Sequence, residues 1–123
     1  MSIFENINVV YVYVRDWERA KQFYADVLQW PVAYQDDTIG WVEYGAEGQT
    51  HFAISRWDDP QSLPPQGLGA TITFTVEDAE QATRLLRQKG VVCDEPINIP
   101  GVVLYGTFYD PEGNRFQMAS APK

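Results

Sequence analysis

From residue 9 to residue 16 the chain reads VVYVYVRD. β-Branched and aromatic residues suited to a pleated strand run up to Arg15, and then comes Asp16, whose carboxylate can accept the unpaired N–H groups of a helix start. From Trp17 onward Ala20, Phe23, Tyr24, Val27 and Leu28 recur at helical spacing, with Glu18, Arg19, Lys21, Gln22 and Asp26 between them, until Pro31 stops the pattern. The spacing predicts an amphipathic helix of about three to four turns. The same grammar returns at residues 71–78, TITFTVED, which alternate and end in Asp78, with Gln81 placed as a capping-box partner. Ala82, Leu85 and Leu86 form the next apolar stripe, and Gly90 stands where a left-handed helix end belongs. Asp78 follows Asp16 by 62 positions, about half the chain, a period that argues for a duplicated module.

Short extended runs separated by turn residues follow each helix, at 32–34, 40–45 and 50–56 and then at 91–93, 102–109 and 115–119. Each half therefore reads β-α-β-β-β. Between them DDPQSLPPQGLG, residues 58–69, holds three prolines and two glycines and marks a linker. The expected architecture is α+β, with one module at about 7–57 and a second at about 70–120. At 123 residues and 45% hydrophobic content, both fit within a single domain.

Charge narrows the partners. A formal charge of −8, from 17 acidic against 9 basic residues, opposes the phosphate neutralisation on which nucleic-acid affinity depends. It suits either solubility or attraction of a cationic small molecule. Cys93 is the only cysteine, so no intramolecular disulfide can form and no zinc-type Cys/His spacing exists. A reducing cytoplasm is the expected setting. Residues 1–8 lack a basic leader, and no run of about 18 apolar residues occurs, so neither export nor a membrane span is expected.

The segment FYADVLQW, ending in Val27, Leu28, Gln29 and Trp30, and the turn Asp110-Pro111-Glu112-Gly113-Asn114 leading into Arg115, Phe116, Gln117 and Met118 carry a family likeness. Together with the repeated strand-cap-helix unit, they resemble the vicinal-oxygen-chelate superfamily of glyoxalases, bleomycin-resistance proteins and extradiol dioxygenases, over nearly the whole chain. The resemblance implies two β-α-β-β-β modules whose mixed sheets curve into one cup, with helices outside and a pocket inside. Strand alternation then sorts the side chains. Val10, Val12 and Val14, then Ile72, Phe74 and Val76, and finally Phe116 and Met118 pack beneath the helices. Val9, Tyr11, Tyr13, Thr71, Thr73, Thr75, Arg115 and Gln117 face the cup.

The resemblance further implies that the family's metalloenzymes draw a His or Glu from each of four strands. The matching positions here are Val9, Thr71, Gln117 and Ala53, and none is a His, Asp or Glu. Valine and alanine have no donor, and threonine and glutamine are poor neutral ligands. No metal and no other cofactor is expected, and with them the metal-dependent glyoxalase, dioxygenase and fosfomycin-modifying activities are set aside.

Two residues carry possible proton chemistry. His51, the only histidine, is either a general base or pH sensor, or a strand histidine bonded locally. Glu43 is either an anchor or base beside Trp41, or an exposed strand carboxylate. Tyr11, Tyr13, Trp41, Tyr105 and Tyr109 fall on the cup side with Thr107, and aromatic walls with a few hydroxyls suit a planar organic molecule. The same residues would also serve as core filler or a dimer interface. The ligand-binding set is Tyr11, Tyr13, Trp41, Glu43, His51, Thr73, Tyr105, Thr107, Tyr109, Arg115 and Gln117. With one His and one Cys at unrelated positions, no nucleophile-base pair can be drawn, and no glycine pattern cradles phosphate. The expected function is metal-free binding of a small aromatic or cationic ligand. Two alternatives stand beside it: a metal-independent enzyme using Glu43, His51, Tyr11 or Arg115, and a metalloenzyme with displaced ligands. Exposed strand edges and the family likeness point to a homodimer.

Overall fold

The structure, a computed structural model, describes residues 2, 3, 5–62 and 71–123. Backbone contacts divide the chain into two compact units, Met1–Pro65 and Gln66–Lys123. The boundary falls within the segment 58–69, of which residues 63–69 lie outside the described residues. Just before them Asp59 closes a turn by accepting from the Gln61 N–H and the Ser62 hydroxyl, each at 2.8 Å.

In the first unit β1 (Val9–Val14) leads through α1 (Trp17–Leu28) to β2 (Val32–Asp36), β3 (Trp41–Tyr44) and β4 (His51–Arg56). The strand order is β1-β4-β3-β2, with β1 parallel to β4 and the other pairs antiparallel. Asp16 caps α1 as its side chain predicts, accepting from the Arg19 N–H at 3.3 Å. The helix ends on Gln29 in the left-handed conformation (φ 54°), two residues before Pro31, which has no N–H to continue the ladder. Beneath α1, Ala20 and Tyr24 pack on Val14, Val42, Phe52 and Ile54, all nearly inaccessible to solvent, with the Tyr24 and Phe52 rings 5.1 Å apart.

The second unit runs β5 (Ile72–Thr75), α2 (Ala79–Gln88), β6 (Val92–Cys93), β7 (Ile97–Ile99), β8 (Val103–Tyr109) and β9 (Arg115–Ser120). Its order, β5-β9-β8-β6 with β5 parallel to β9, repeats the plan of the first. Asp78 accepts from the N–H groups of Glu80 and Gln81. At the far end Gly90 adopts φ 85°, and the N–H groups of Gly90 and Val91 close on the carbonyls of Arg87 and Leu86, a complete Schellman motif. Among the described residues no helix is long and apolar enough to cross a membrane.

Two expectations need correction. The second unit has one strand more than β-α-β-β-β, because β7, between Pro96 and Pro100, pairs antiparallel with β8 off the main path. Prolines suit such an edge, where the missing N–H breaks no ladder. The apolar stripe of α2 is also displaced. Ala79 and Thr83 are its buried residues, whereas Leu85 is 51% exposed. At 100° per residue Leu85 lies about 120° round the helix from Ala79, off the contact line. That line approaches the sheet at Gly106, where a Cβ would sit 3.0 Å from both Thr83 Oγ1 and Met118 Cε, so only small groups fit between helix and strand.

Candidate functional site

Each sheet has a face that packs under its helix and a face that does not. In the first unit the register assembles the second face in rows: Tyr13, Ser55, Trp41 and Asp36; then Tyr11, Ala53, Glu43 and Tyr34; then Val9 and His51. The aromatic rings meet edge to face, Tyr11 with Trp41 at 5.2 Å, Tyr11 with Tyr13 at 5.5 Å and Tyr13 with Trp57 at 5.0 Å. Such pairs add about 0.5–1.5 kcal/mol beyond area burial and hold the rings in fixed orientations. Tyr11 is nevertheless 46% exposed and Tyr34 53%. The neighbouring Tyr11 hydroxyl raises the Tyr13 pKa above its ordinary value.

Glu43 and His51 form one unit on this face. Trp41 donates its indole N–H to Glu43 Oε1 at 3.2 Å, and His51 Nδ1 is bonded to Glu43 Oε2. The other ring nitrogen, Nε2, lies 2.8 Å from the Ala46 carbonyl oxygen. A carbonyl only accepts, so Nε2 carries a proton; Nδ1, facing the Glu43 carboxylate, is favoured to carry one too. The carboxylate first, and the Ala46 carbonyl after it, raise the His51 pKa above the ordinary 6.5, against a smaller opposing effect of burial. A raised folded-state pKa means that the pair's contribution to stability is full below the unfolded value and is lost as pH rises through the folded one. Because the chain has one histidine, its imidazole C–H resonances give this midpoint directly. The midpoint is expected above 6.5 and to fall back toward it in Glu43→Gln; a wild-type midpoint at or below 6.5 would rule the arrangement out.

In the second unit the corresponding face is mainly polar. Thr73, Gln117 and Thr107 form one row, Arg115 and Tyr109 another, and Ala119 and Tyr105 follow with Thr75 and Ile97 on either side. The Tyr109 hydroxyl donates to Asp94 Oδ2 at 2.8 Å, a bond that raises its pKa, while Arg115 acts on the same hydroxyl in the opposite sense. Arg115 donates to Thr71 Oγ1 at 3.4 Å. Thr107 is 5% exposed and offers less surface than expected from its strand parity.

Of the eleven expected ligand-binding residues, Tyr11, Tyr13, Trp41, Glu43 and His51 share the first face, and Thr73, Tyr105, Thr107, Tyr109, Arg115 and Gln117 share the second. Trp57, Tyr34 and Ser55 join the first face without having been anticipated. Trp57 has the same strand parity as Ser55, the one signal that pointed to it. At the four positions matched to metal ligands, Val9 lies beside His51 in register and Ala53 is fully buried between Tyr11 and Glu43. Thr71 accepts from the Arg115 guanidinium, and Gln117 stands between Thr73 and Thr107. Among the described residues no three His, Cys, Asp or Glu side chains gather closely enough to hold one ion.

Comparison with known proteins agrees with this fold. TnmS3, an antibiotic-binding protein from Streptomyces sp. CB03234, superposes with a TM-score of 0.78 at 25% identity over 100% of both chains. A glyoxalase/bleomycin resistance protein from the same source gives 0.69 at 27% identity, over 92% of this chain and 99% of its own. Lactoylglutathione lyase from Agrobacterium tumefaciens shares the fold, with a TM-score of 0.71 at 16% identity over 97% of this chain and 96% of its own. No curated protein matches by sequence. The sequence model of the Glyoxalase/Bleomycin resistance protein/Dioxygenase superfamily matches residues 6–118, and the chain belongs to that superfamily.

Proposed function

We propose that this protein binds a small planar organic molecule on its strand faces and does so without a catalytic metal. The observation that carries the reading is the edge-to-face cluster of Tyr11, Tyr13, Trp41 and Trp57 on the sheet face that α1 leaves uncovered, with Tyr11 half exposed. Rings held in place by one another stack on a ligand with little further loss of side-chain freedom. The likeness to TnmS3, itself named as antibiotic-binding, supports the same reading.

The residues at the family's four ligand positions do not fit a divalent cation. Two are aliphatic, and the Thr71 hydroxyl faces the guanidinium of Arg115, a group that repels a metal ion. Glu43 and His51 support a structural use more than a catalytic one, since both ring nitrogens of His51 are engaged and neither is free to accept a substrate proton. The same pairing neutralises Glu43, which weakens it as an anchor for a cationic ligand and shifts the preference toward aromatic surface.

Quenching of tryptophan fluorescence by 1-naphthol tests the reading. Saturable binding is expected that is unchanged by a chelator and about tenfold weaker in Trp41→Leu, in keeping with the loss of one stacking wall. Absence of saturation up to millimolar 1-naphthol, or loss of binding on adding chelator, counts against it. The edge strand β2 leaves Val32 and Tyr34 each 53% exposed. Burial of such edges favours a homodimer, and light scattering on the same sample checks the mass.

A further inference from the structure

We propose that the second unit's uncovered strand face contains an oxyanion subsite, in which Arg115 takes the carboxylate of an organic ligand. This rests on the reading that the strand faces bind a small organic molecule.

The chain has 17 acidic side chains against 9 basic ones, and four of its cations pair with carboxylates. Lys21 pairs with Glu18 and Asp37, Arg56 with Asp58, Arg87 with Glu95, and Lys123 with Asp78 and Glu80. Arg84, on α2, and Arg115 make no ion pair among the described residues, and of the two only Arg115 stands on the strand face; residues 63–70 contain no Asp or Glu that would supply a partner. Its bond to Thr71 Oγ1 is long, at 3.4 Å, and goes to a neutral oxygen. Asp94 takes the Tyr109 hydroxyl and makes no ion pair with Arg115.

A guanidinium has five N–H donors in a planar fork that matches the two oxygens of a carboxylate. Thr71 takes one of them and the Tyr109 hydroxyl engages the group as well, which leaves donors for a further oxygen pair. Arg115 is exposed, and the hydroxyl of Thr73 and the amide of Gln117 lie on the same face as further neutral donors. The net charge of −8 works against any anion at long range, but at physiological salt that field is screened beyond about 8 Å, whereas a bidentate contact is not. One fork with no second cation beside it suits a singly charged carboxylate better than phosphate.

The test follows arginine Nε–H and tryptophan indole N–H resonances of the full chain during titration with benzoate, benzamide and inorganic phosphate. Benzoate is expected to shift the Arg115 signal saturably, at least about tenfold more tightly than benzamide and more tightly than phosphate. Arg115→Gln should abolish that preference and Arg115→Lys should keep part of it, both variants melting near the wild-type temperature because the side chain is exposed. Equal affinity for benzoate and benzamide overturns the subsite, as does a preference that survives Arg115→Gln or tighter binding of phosphate. The Trp41 indole reports separately on aromatic binding. If it responds to benzamide while Arg115 ignores benzoate, the subsite fails and aromatic binding stands; if only Arg115 responds, the aromatic reading fails.

Discussion

Asp110→Ala is expected to lower the free energy of unfolding by about 4 kcal/mol, the largest loss among single substitutions in the turn between β8 and β9. The Asp110 carboxylate accepts from the Glu112 N–H at 2.9 Å, the Asn114 N–H at 2.8 Å and Asn114 Nδ2 at 2.8 Å. Asp110 and Asn114 are only 5% and 4% exposed, so water cannot readily replace the lost acceptor. Each bond to a charged acceptor contributes about 1.5–3 kcal/mol, and the three share one group, so they do not add in full. Part of the turn would survive: the Asp110 N–H donates to the Asn114 carbonyl and the Gly113 N–H to the Asp110 carbonyl, each at 3.0 Å, with Gly113 at φ 88°. Asp110→Asn keeps one acceptor oxygen but turns an NH2 group toward Asn114, and about half the loss is expected. Urea unfolding measures both variants, as a lowered midpoint with unchanged slope. A loss under about 1 kcal/mol for alanine would mean that the carboxylate is dispensable. The turn also sets the register that brings Tyr109 opposite Arg115 and Thr107 opposite Gln117, so its weakening reaches the polar face directly.

The faces were legible because alternation is local. VVYVYV and TITFTV each assign their side chains to two sides without reference to any other strand, and the Asp residues that follow them fix where the helices start. Burial alternates accordingly in β5 and along most of β9, whereas in β1 it separates only exposed Tyr11 from buried Val14. What depended on a partner was not legible. Ile97–Ile99 is too short and too closely flanked by proline to read as a strand, and it becomes one only because β8 extends far enough to pair with it. Thr83 replaces Leu85 at the helix contact because Gly106, more than twenty residues away, leaves space for no larger group. Glu43 and His51 were placed on one face with separate roles. Their union depends on the β3–β4 register, which sets Glu43 opposite Ala53 and brings His51, two residues earlier, within diagonal reach.

Gly45 lies against the His51 ring, and Gly45→Ala is expected to cost about 3 kcal/mol while detaching His51 from Glu43. Gly45 has φ 137°, a conformation that side-chain-bearing residues rarely adopt, and forcing alanine into it accounts for about 1–2 kcal/mol. The added Cβ would also lie 2.6 Å from His51 Cδ2 and 3.3 Å from Cγ, so the ring must move, an overpacking term of about 1–3 kcal/mol. The ring has little freedom to move, being held at both nitrogens by Glu43 and the Ala46 carbonyl, and displacement sacrifices one or both bonds. Gly48, in the same connection, separates the two causes. It too has a positive φ, 81°, but a Cβ there meets nothing within 4 Å, so Gly48→Ala should show the conformational term alone, about 1 kcal/mol. The histidine resonance adds a signature that stability does not: in Gly45→Ala its midpoint should drop toward 6.5, since the groups that raise it have been lost, and in Gly48→Ala it should stay where it is. Equal destabilisation by the two substitutions, with the His51 midpoint unmoved in both, would mean that the ring yields at no expense and that the Trp41–Glu43–His51 chain is not a rigid part of the aromatic face.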